Sequence, residues 1–323
     1  MLISVTYGLV FNSVQANTIA LSLSSSFGID RTLSGLILAL LSGAVIFSGI
    51  GRIARMTEWL VPLMAGVYLL VAIGIMIYHI ADLPGVFLLI IKDAFSPDAA
   101  MGGGMGAAVM TGIKRGLFSN EAGMGSVPNA AATADANHPV RQGLVQSFGV
   151  FVDTFFICSA SAFIVLLSGN YQSGTLTGIE LVQEDLSQYF GSLAPHMLAF
   201  LIFLFAFTSI IGNYYYGEIN IARLTRSKVW LNLFRILIAF MVFGGSVAEL
   251  TLVWNMADLF MGLMVLTNVT AILLLFPQVK RTLQDYESQK KSGTEDPLFC
   301  KNILPNQENI VCWATPENDS PAK

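Results

Sequence analysis

Between Arg115 and Ser126 the chain reads RGLFSNEAGMGS, with an arginine, a glutamate, a Ser-Asn pair and three glycines inside otherwise apolar sequence. In hydrocarbon, a non-helical backbone survives only where protein or a water-filled cavity satisfies its freed N–H and C=O groups. Downstream, SVPNAAATADAN has the marks of a new helix: Ser126 as N-cap, Pro128 in the first turn, and His138-Pro139 as the stop. The stretch therefore predicts two half-helices meeting near mid-membrane. The first would end on unpaired carbonyls suited to Na+ or an ammonium; the second would begin on unpaired N–H groups suited to a carboxylate. A zwitterion such as an amino acid matches both ends. Phe118 could lid such a pocket, and Ser119 and Asn120 could contact the substrate. The competing reading is an ordinary surface loop carrying Arg115, Asn120 and Glu121.

Other polar groups lie in apolar runs. Thr208 and Ser209 sit within LAFLIFLFAFTSIIG. Their hydroxyls could bond back to the preceding helical turn, or their hard oxygens could coordinate sodium. Asn213 lies one turn beyond Ser209 and shares its helix face. Gln15, with Asn12 three residues before it, must face protein and not lipid, as helix–helix glue or as a pocket group. Asp153 is an intramembrane carboxylate, a functional candidate that could equally form a salt bridge to Arg115 or Lys114. Glu121 and Glu218 read as members of packing networks. Arg115, Glu121 and Asp153 are thus the expected structural clamps.

The elements that must position these groups follow from composition. Only 12% of the 323 residues are charged and 54% are hydrophobic, with mean hydropathy +0.66. A soluble domain carries about 25% charged residues, so an all-α polytopic membrane protein is expected. Eight spans are predicted, at 2–25, 32–50, 59–79, 101–134 (broken), 143–168, 194–218, 230–247 and 251–276, each long enough for the ~20 residues a bilayer requires. Ala81–Ala99 holds one short apolar stretch between prolines and charges, and reads as a surface or re-entrant helix.

One set of loops carries Arg52, Arg55, Arg141, Arg223, Arg226, Lys228, Lys280 and Arg281. The alternate loops hold Arg31 and Lys92 among acidic residues such as Asp82, Glu180 and Asp185. That asymmetry predicts both ends of the chain in the cytoplasm. Residues 1–287 form the expected transmembrane transporter domain. From 288 to 323 the chain is polar and aperiodic, which predicts a disordered cytoplasmic tail.

Eight glycines fall between Gly102 and Gly125. Gly102/Gly106 and Gly112/Gly116 have the spacing that lets membrane helices approach closely. The three cysteines form no metal or disulfide pattern. His79, His138 and His196 belong to no catalytic constellation, and Ser119 has no partner base in reach, so no enzyme and no cofactor is expected. A net charge of −4 without a basic stripe excludes nucleic-acid binding.

Four blocks in order, RGLFSNEAGMGSVPNAAA (115–132), HPVRQGLVQ (138–146), GVFVDTFFICSASAFIVLLSG (149–169) and TSIIGNYYYGE (208–218), closely resemble the sodium:alanine symporter family, the alanine or glycine:cation symporters. The resemblance implies a LeuT-like inverted-repeat fold of ten core helices, with the eight spans here corresponding to core helices three to ten. It implies Thr208 and Ser209 as sodium ligands, with Gln15 on the third core helix lining the substrate pocket beside Phe118, Ser119, Asn120 and Asn213. Family members carry a first broken helix and a Gly-Gly-rich second helix that this sequence lacks, so an N-terminally truncated member is expected.

The function expected is sodium-coupled (or H+-coupled) symport of a small neutral amino acid, alanine or glycine, by alternating access in the plasma or inner membrane. The alternative is a transport-inactive fragment of such a symporter. A cation channel is disfavoured, since no repeated filter motif or acidic ring is present.

Overall fold

The computed structural model describes residues 1–48, 51–95 and 104–307, together with Ile310 and Trp313. Helix α1 runs from Leu2 to Phe27, α-helical over Leu2–Val5 and Asn12–Phe27 with a π-turn at Thr6–Phe11 between them. It is followed by α2 (Arg31–Ser48), α3 (Gly51–Tyr78), α4 (Leu83–Ala94), α5 (Gly104–Asn120) and α6 (Val127–Ala131). Helix α7 joins Pro139–Val152, a second π-turn at Asp153–Cys158, and Ser159–Ser168. Then come α8 (Ile179–Phe190), α9 (Leu193–Leu224), α10 (Lys228–Val247) and α11 (Leu250–Lys291).

Among the described residues, six helices are long and apolar enough to cross a membrane: Arg31–Ser48, Val61–Tyr78, Pro139–Ser168, Leu193–Leu224, Lys228–Val247 and Leu250–Lys291. These correspond to six of the eight expected spans. The other two are helical but fall outside that set. Asn12, Gln15 and Asn17 dilute the apolar character of α1, and α5 is only 17 residues long. The stretch 81–99 yields the short α4, 12 residues and about 18 Å at 1.5 Å per residue, too short for a bilayer.

The chain divides into two compact units, Met1–Ser119 with Asp153–Leu263, and Asn120–Val152 with Met264–Lys323. In the first unit, α1, α2, α9 and α10 surround one core, where Ile19, Leu38, Ile210, Tyr214, Ile238 and Val242 are almost fully buried. Glycines set how closely these helices approach. A Cβ at Gly8 would lie 2.4 Å from the Phe234 ring, and one at Gly217 would lie 2.6 Å from the same ring and 3.3 Å from Gly8 Cα. At Gly245 it would lie 2.4 Å from Ser13 Cα. The seams predicted at Gly106, Gly112 and Gly116 are not found, since no described atom lies within 4 Å of a Cβ built there; Gly102 lies outside the described residues. Side chains finish what the glycines begin. Asn17 Nδ2 donates to the carbonyls of Gly245 (2.8 Å) and Ala248 (2.9 Å), and Arg31 donates to those of Ser246 and Ala248. These are the orphan carbonyls that end α10.

In the second unit, α11 continues to Lys291, past the boundary read at 287. The polar segment after it folds back onto the start of α7. Phe299 N–H donates to Asn137 O (2.9 Å), and Asp296 accepts from Asn137 Nδ2 and Arg141 Nη1, both at 2.5 Å. Phe299 and Leu304 are buried. Polar composition alone predicted disorder from 288; the paired charges and Phe299 hold this segment through Leu304.

Candidate functional site: an interrupted helix and its polar neighbours

Helix α5 stops at Asn120, where the backbone turns sharply: Glu121 has φ 56°, Gly123 φ 84° and Gly125 φ 83°. Left-handed backbone is nearly free for glycine but costs a residue with Cβ about 1 kcal/mol or more. Glu121 is held there by its carboxylate, which accepts from Ser126 Oγ at 2.7 Å. Several of the freed backbone groups have named partners. Ala122 N–H donates to Asn120 Oδ1 (3.0 Å), and Met124 N–H to Glu121 O (3.1 Å). Asn129 Nδ2 serves the carbonyls of Gly125 and Ser126, and Asn268 Nδ2 serves that of Gly123 at 2.9 Å.

The break is therefore real, but its second half differs from the expected half-helix. Helix α6 is five residues, Val127–Ala131, and gives way to turns before His138. The alanine-rich run has no large apolar side chains to anchor a longer helix, and Thr133 and Asn137 turn to other partners. Five residues do not accumulate the helix dipole that the carboxylate argument required.

In the first unit, the end of α5 is set among aromatic rings. Phe118 lies 4.9 Å from the Phe11 ring and 4.8 Å from that of Trp254, while Tyr7 lies tilted against Phe11 (4.8 Å) and meets Tyr216 edge-on (5.4 Å). One file of rings thus joins α9, the π-turn of α1, α5 and α11. Arg115 closes it, its guanidinium 4.1 Å above Trp254.

The charge pairing differs from the one read in the sequence. Arg115 and Lys114 both pair with Asp258 of α11, Lys114 at 3.2 Å, and not with Asp153. Ser119, and not either of these cations, is the α5 residue that meets Asp153. Asp153 opens the π-turn of α7 and accepts from Ser119 Oγ at 2.6 Å. Cys158, which ends that turn, lies 3.2 Å from the same hydroxyl. Arg115 and Asp153 both fasten α5, through separate partners.

Thr208 and Ser209 both donate to the Phe205 carbonyl, at 2.8 and 3.0 Å. Their protons are used inside α9, while their oxygen lone pairs remain as acceptors. Asn213 is 6% exposed, and its Nδ2 has no hydrogen-bond partner among the described residues. Gln15 is half-buried on α1. Glu218 pairs with Arg235 (2.6 Å), as a packing-network carboxylate should.

Residues 1–301 match the family model described as the sodium:alanine symporter family. The chain belongs to the sodium:alanine symporter family. Among its relatives is the "Probable sodium/glutamine symporter GlnT" of Bacillus subtilis (strain 168), 51% identical over 313 residues. The match covers 97% of this chain and 65% of that protein. The "Amino-acid carrier protein AlsT" of the same organism is 45% identical, covering 97% of this chain and 67% of that protein. The "Sodium/alanine symporter AgcS" of Methanococcus maripaludis is 37% identical, covering 88% of this chain and 63% of that protein. The chain thus spans about two thirds of the length of these relatives. Its relatives are named as symporters and carriers, not enzymes, and the chain is a multi-pass membrane protein.

For this family member, sequence reasoning missed Asp258, Trp254, Tyr7, Phe11 and Asn268. Asp258 carried a signal, being a carboxylate in the apolar run WNMADLF, where an intramembrane charge calls for a partner. The π-turns were not read from the sequence.

Proposed function

We propose that this protein takes part in sodium-coupled symport of a small neutral amino acid, alanine or glycine, by alternating access. The observation that carries this reading is the interruption of α5 and α6 at Glu121–Ser126 in a member of a symporter family. Broken helices in transporters expose backbone polarity to substrate and ion without a lipid-facing defect. The fold we assign is the LeuT-like inverted repeat, with α1 and the interrupted α5 also in the membrane. Both ends of the chain lie in the cytoplasm, and the membrane is the plasma or inner membrane. Residues 1–287 form the transporter domain, and 288–323 its cytoplasmic tail.

Thr208 and Ser209 supply hydroxyl oxygens to Na+, which leaves their bonds to Phe205 intact because coordination uses lone pairs. Gln15, Phe118, Ser119 and Asn213 contact the substrate, as does Asn120 next along the chain. Arg115, Glu121 and Asp153 fix the backbone around the break. Na+ is the coupling ion, with H+ as the other candidate. The chain takes up no further cofactor.

The test is uptake of labelled alanine by proteoliposomes under an imposed sodium gradient. Accumulation that ignores both sodium and proton gradients would rule out coupled symport. A second reading, glutamine as substrate, is favoured by the buried, unpartnered amide nitrogen of Asn213, which suits a carbonyl oxygen on a substrate side chain. Competition of glutamine against alanine, with and without Asn213→Ala, separates the two.

A further inference from the structure

The break is held by an element distant from it along the chain. Asn268 of α11 touches it twice. Its Nδ2 donates to Gly123 O at 2.9 Å, and its side chain lies against Gly125, where a Cβ would meet Oδ1 at 2.8 Å and Cγ at 3.0 Å. Five bonds in the break are local, running between residues no more than five apart: Ala122 to Asn120, Met124 to Glu121, Ser126 to Glu121, and Asn129 to Gly125 and Ser126. Gly123 O is the break carbonyl whose described partner comes from a distant helix, 145 residues along the chain.

We propose that Asn268 is the positioning residue of the interrupted helix. It donates to Gly123 and bears on Gly125, and so fixes the two left-handed glycines between which Met124 is buried. It touches neither substrate nor ion; it acts through the backbone they meet. Two features support the assignment. A freed carbonyl in a membrane must find a partner, and the one supplied comes from a 42-residue helix. The space for that amide also exists only because residue 125 has no Cβ. Movement of α11 along its axis would therefore be passed to the break as a shift of the 123 peptide.

The inference rests on the symport reading for its functional half and on the geometry alone for its structural half, and the experiment separates them. Hydrogen–deuterium exchange of amides 121–126 is measured in the full chain for the unsubstituted protein and for Asn268→Asp, Asn268→Ala, Gly125→Ala and the double variant Gly125→Ala/Asn268→Ala. Asn268→Asp keeps the shape but puts a carboxylate where the donor was, so it preserves packing while removing the bond. Exchange at 121–126 is expected to rise about tenfold in both Asn268 variants, as for the loss of one buried hydrogen bond. The double variant should exchange less than the product of the single effects predicts, because removing the amide removes the clash. Exchange within twofold of the unsubstituted protein in both Asn268 variants overturns the proposal, as does strict multiplicativity in the double variant.

Uptake then tests function. The Michaelis constants for sodium and alanine should rise about fivefold or more in Asn268→Asp while the amount of protein in the membrane stays constant. Faster exchange with unaltered Michaelis constants would reduce Asn268 to a structural residue and overturn the positioning claim. If the unsubstituted chain shows no gradient-driven uptake at all, the symport reading fails, and the exchange arm still decides whether Asn268 seats the break.

Discussion

Two carboxylates lie inside apolar helices of the first unit, and they are compensated differently. Asp258 faces Arg115 and Lys114 together, with Arg115 stacked on Trp254. Asp153 receives a hydroxyl proton from Ser119 at 2.6 Å and has no ion pair among the described residues. One is a charged anchor with more positive than negative charge around it. The other is a carboxylate held by a neutral donor on a π-turn, a distortion that often marks functional positions. Being ionisable and in the membrane does not by itself distinguish clamp from working group. The partner does.

Substitutions can break this contrast. The largest effect is expected from Asp258→Asn, which leaves two cations facing a neutral amide. We expect a loss of about 1–3 kcal/mol in thermal or denaturant unfolding, below the fully buried figure because Arg115 and Lys114 are 38% and 42% exposed. Asp153→Asn should cost less, about 0.5–1 kcal/mol, since its carbonyl can still accept from Ser119. Equal losses at the two sites would erase the distinction. Arg115→Lys comes next at about 1 kcal/mol, because lysine keeps the charge but neither the planar fork nor the stacking on Trp254. A loss no larger than that of Lys114→Gln would show that Trp254 adds nothing.

The smallest effect sharpens the contrast from outside the membrane. Asp30 caps α2, its Oδ1 accepting from the N–H groups of Thr32 (2.8 Å) and Leu33 (3.2 Å). The Leu33 N–H first, then Thr32, holds its carboxyl below the usual range. A depressed carboxyl stabilises the fold above its unfolded pKa of about 3.9 and loses that contribution as pH falls through its lower folded value. The small fall in melting temperature below about pH 4 should therefore shrink in Asp30→Asn. An unchanged acid limb would show that the cap contributes nothing measurable.

How far the sequence could be read depended on the kind of signal. Long apolar runs located six helices, since burial in lipid depends on composition and length alone. The Ser-Asn-Glu-Ala-Gly break was legible because glycine and polar residues have few other uses in a span. Its second half was overestimated, because an alanine-rich run reads as helix locally while only tertiary contacts decide whether it continues. The Arg115 partner was misassigned because Asp153 alone was weighed, while Asp258 also lies in an apolar run and the outcome depends on which helix reaches α5. Gly8, Gly217 and Gly245 passed unnoticed as single glycines in ordinary helices, whereas the glycine-dense run at 102–116 drew the prediction.

Those three glycines have a mechanical meaning. Where Gly217 would place a Cβ, Gly8 Cα stands 3.3 Å away, and Ser13 backbone stands 2.5 Å from the same point on Gly245. Backbones in such contact cannot slide, because any sliding brings a side chain into the seam. The first, ninth and tenth helices are in effect welded into one plate, with the Phe234 ring set into the joint like a rivet. Such a plate transmits force without bending.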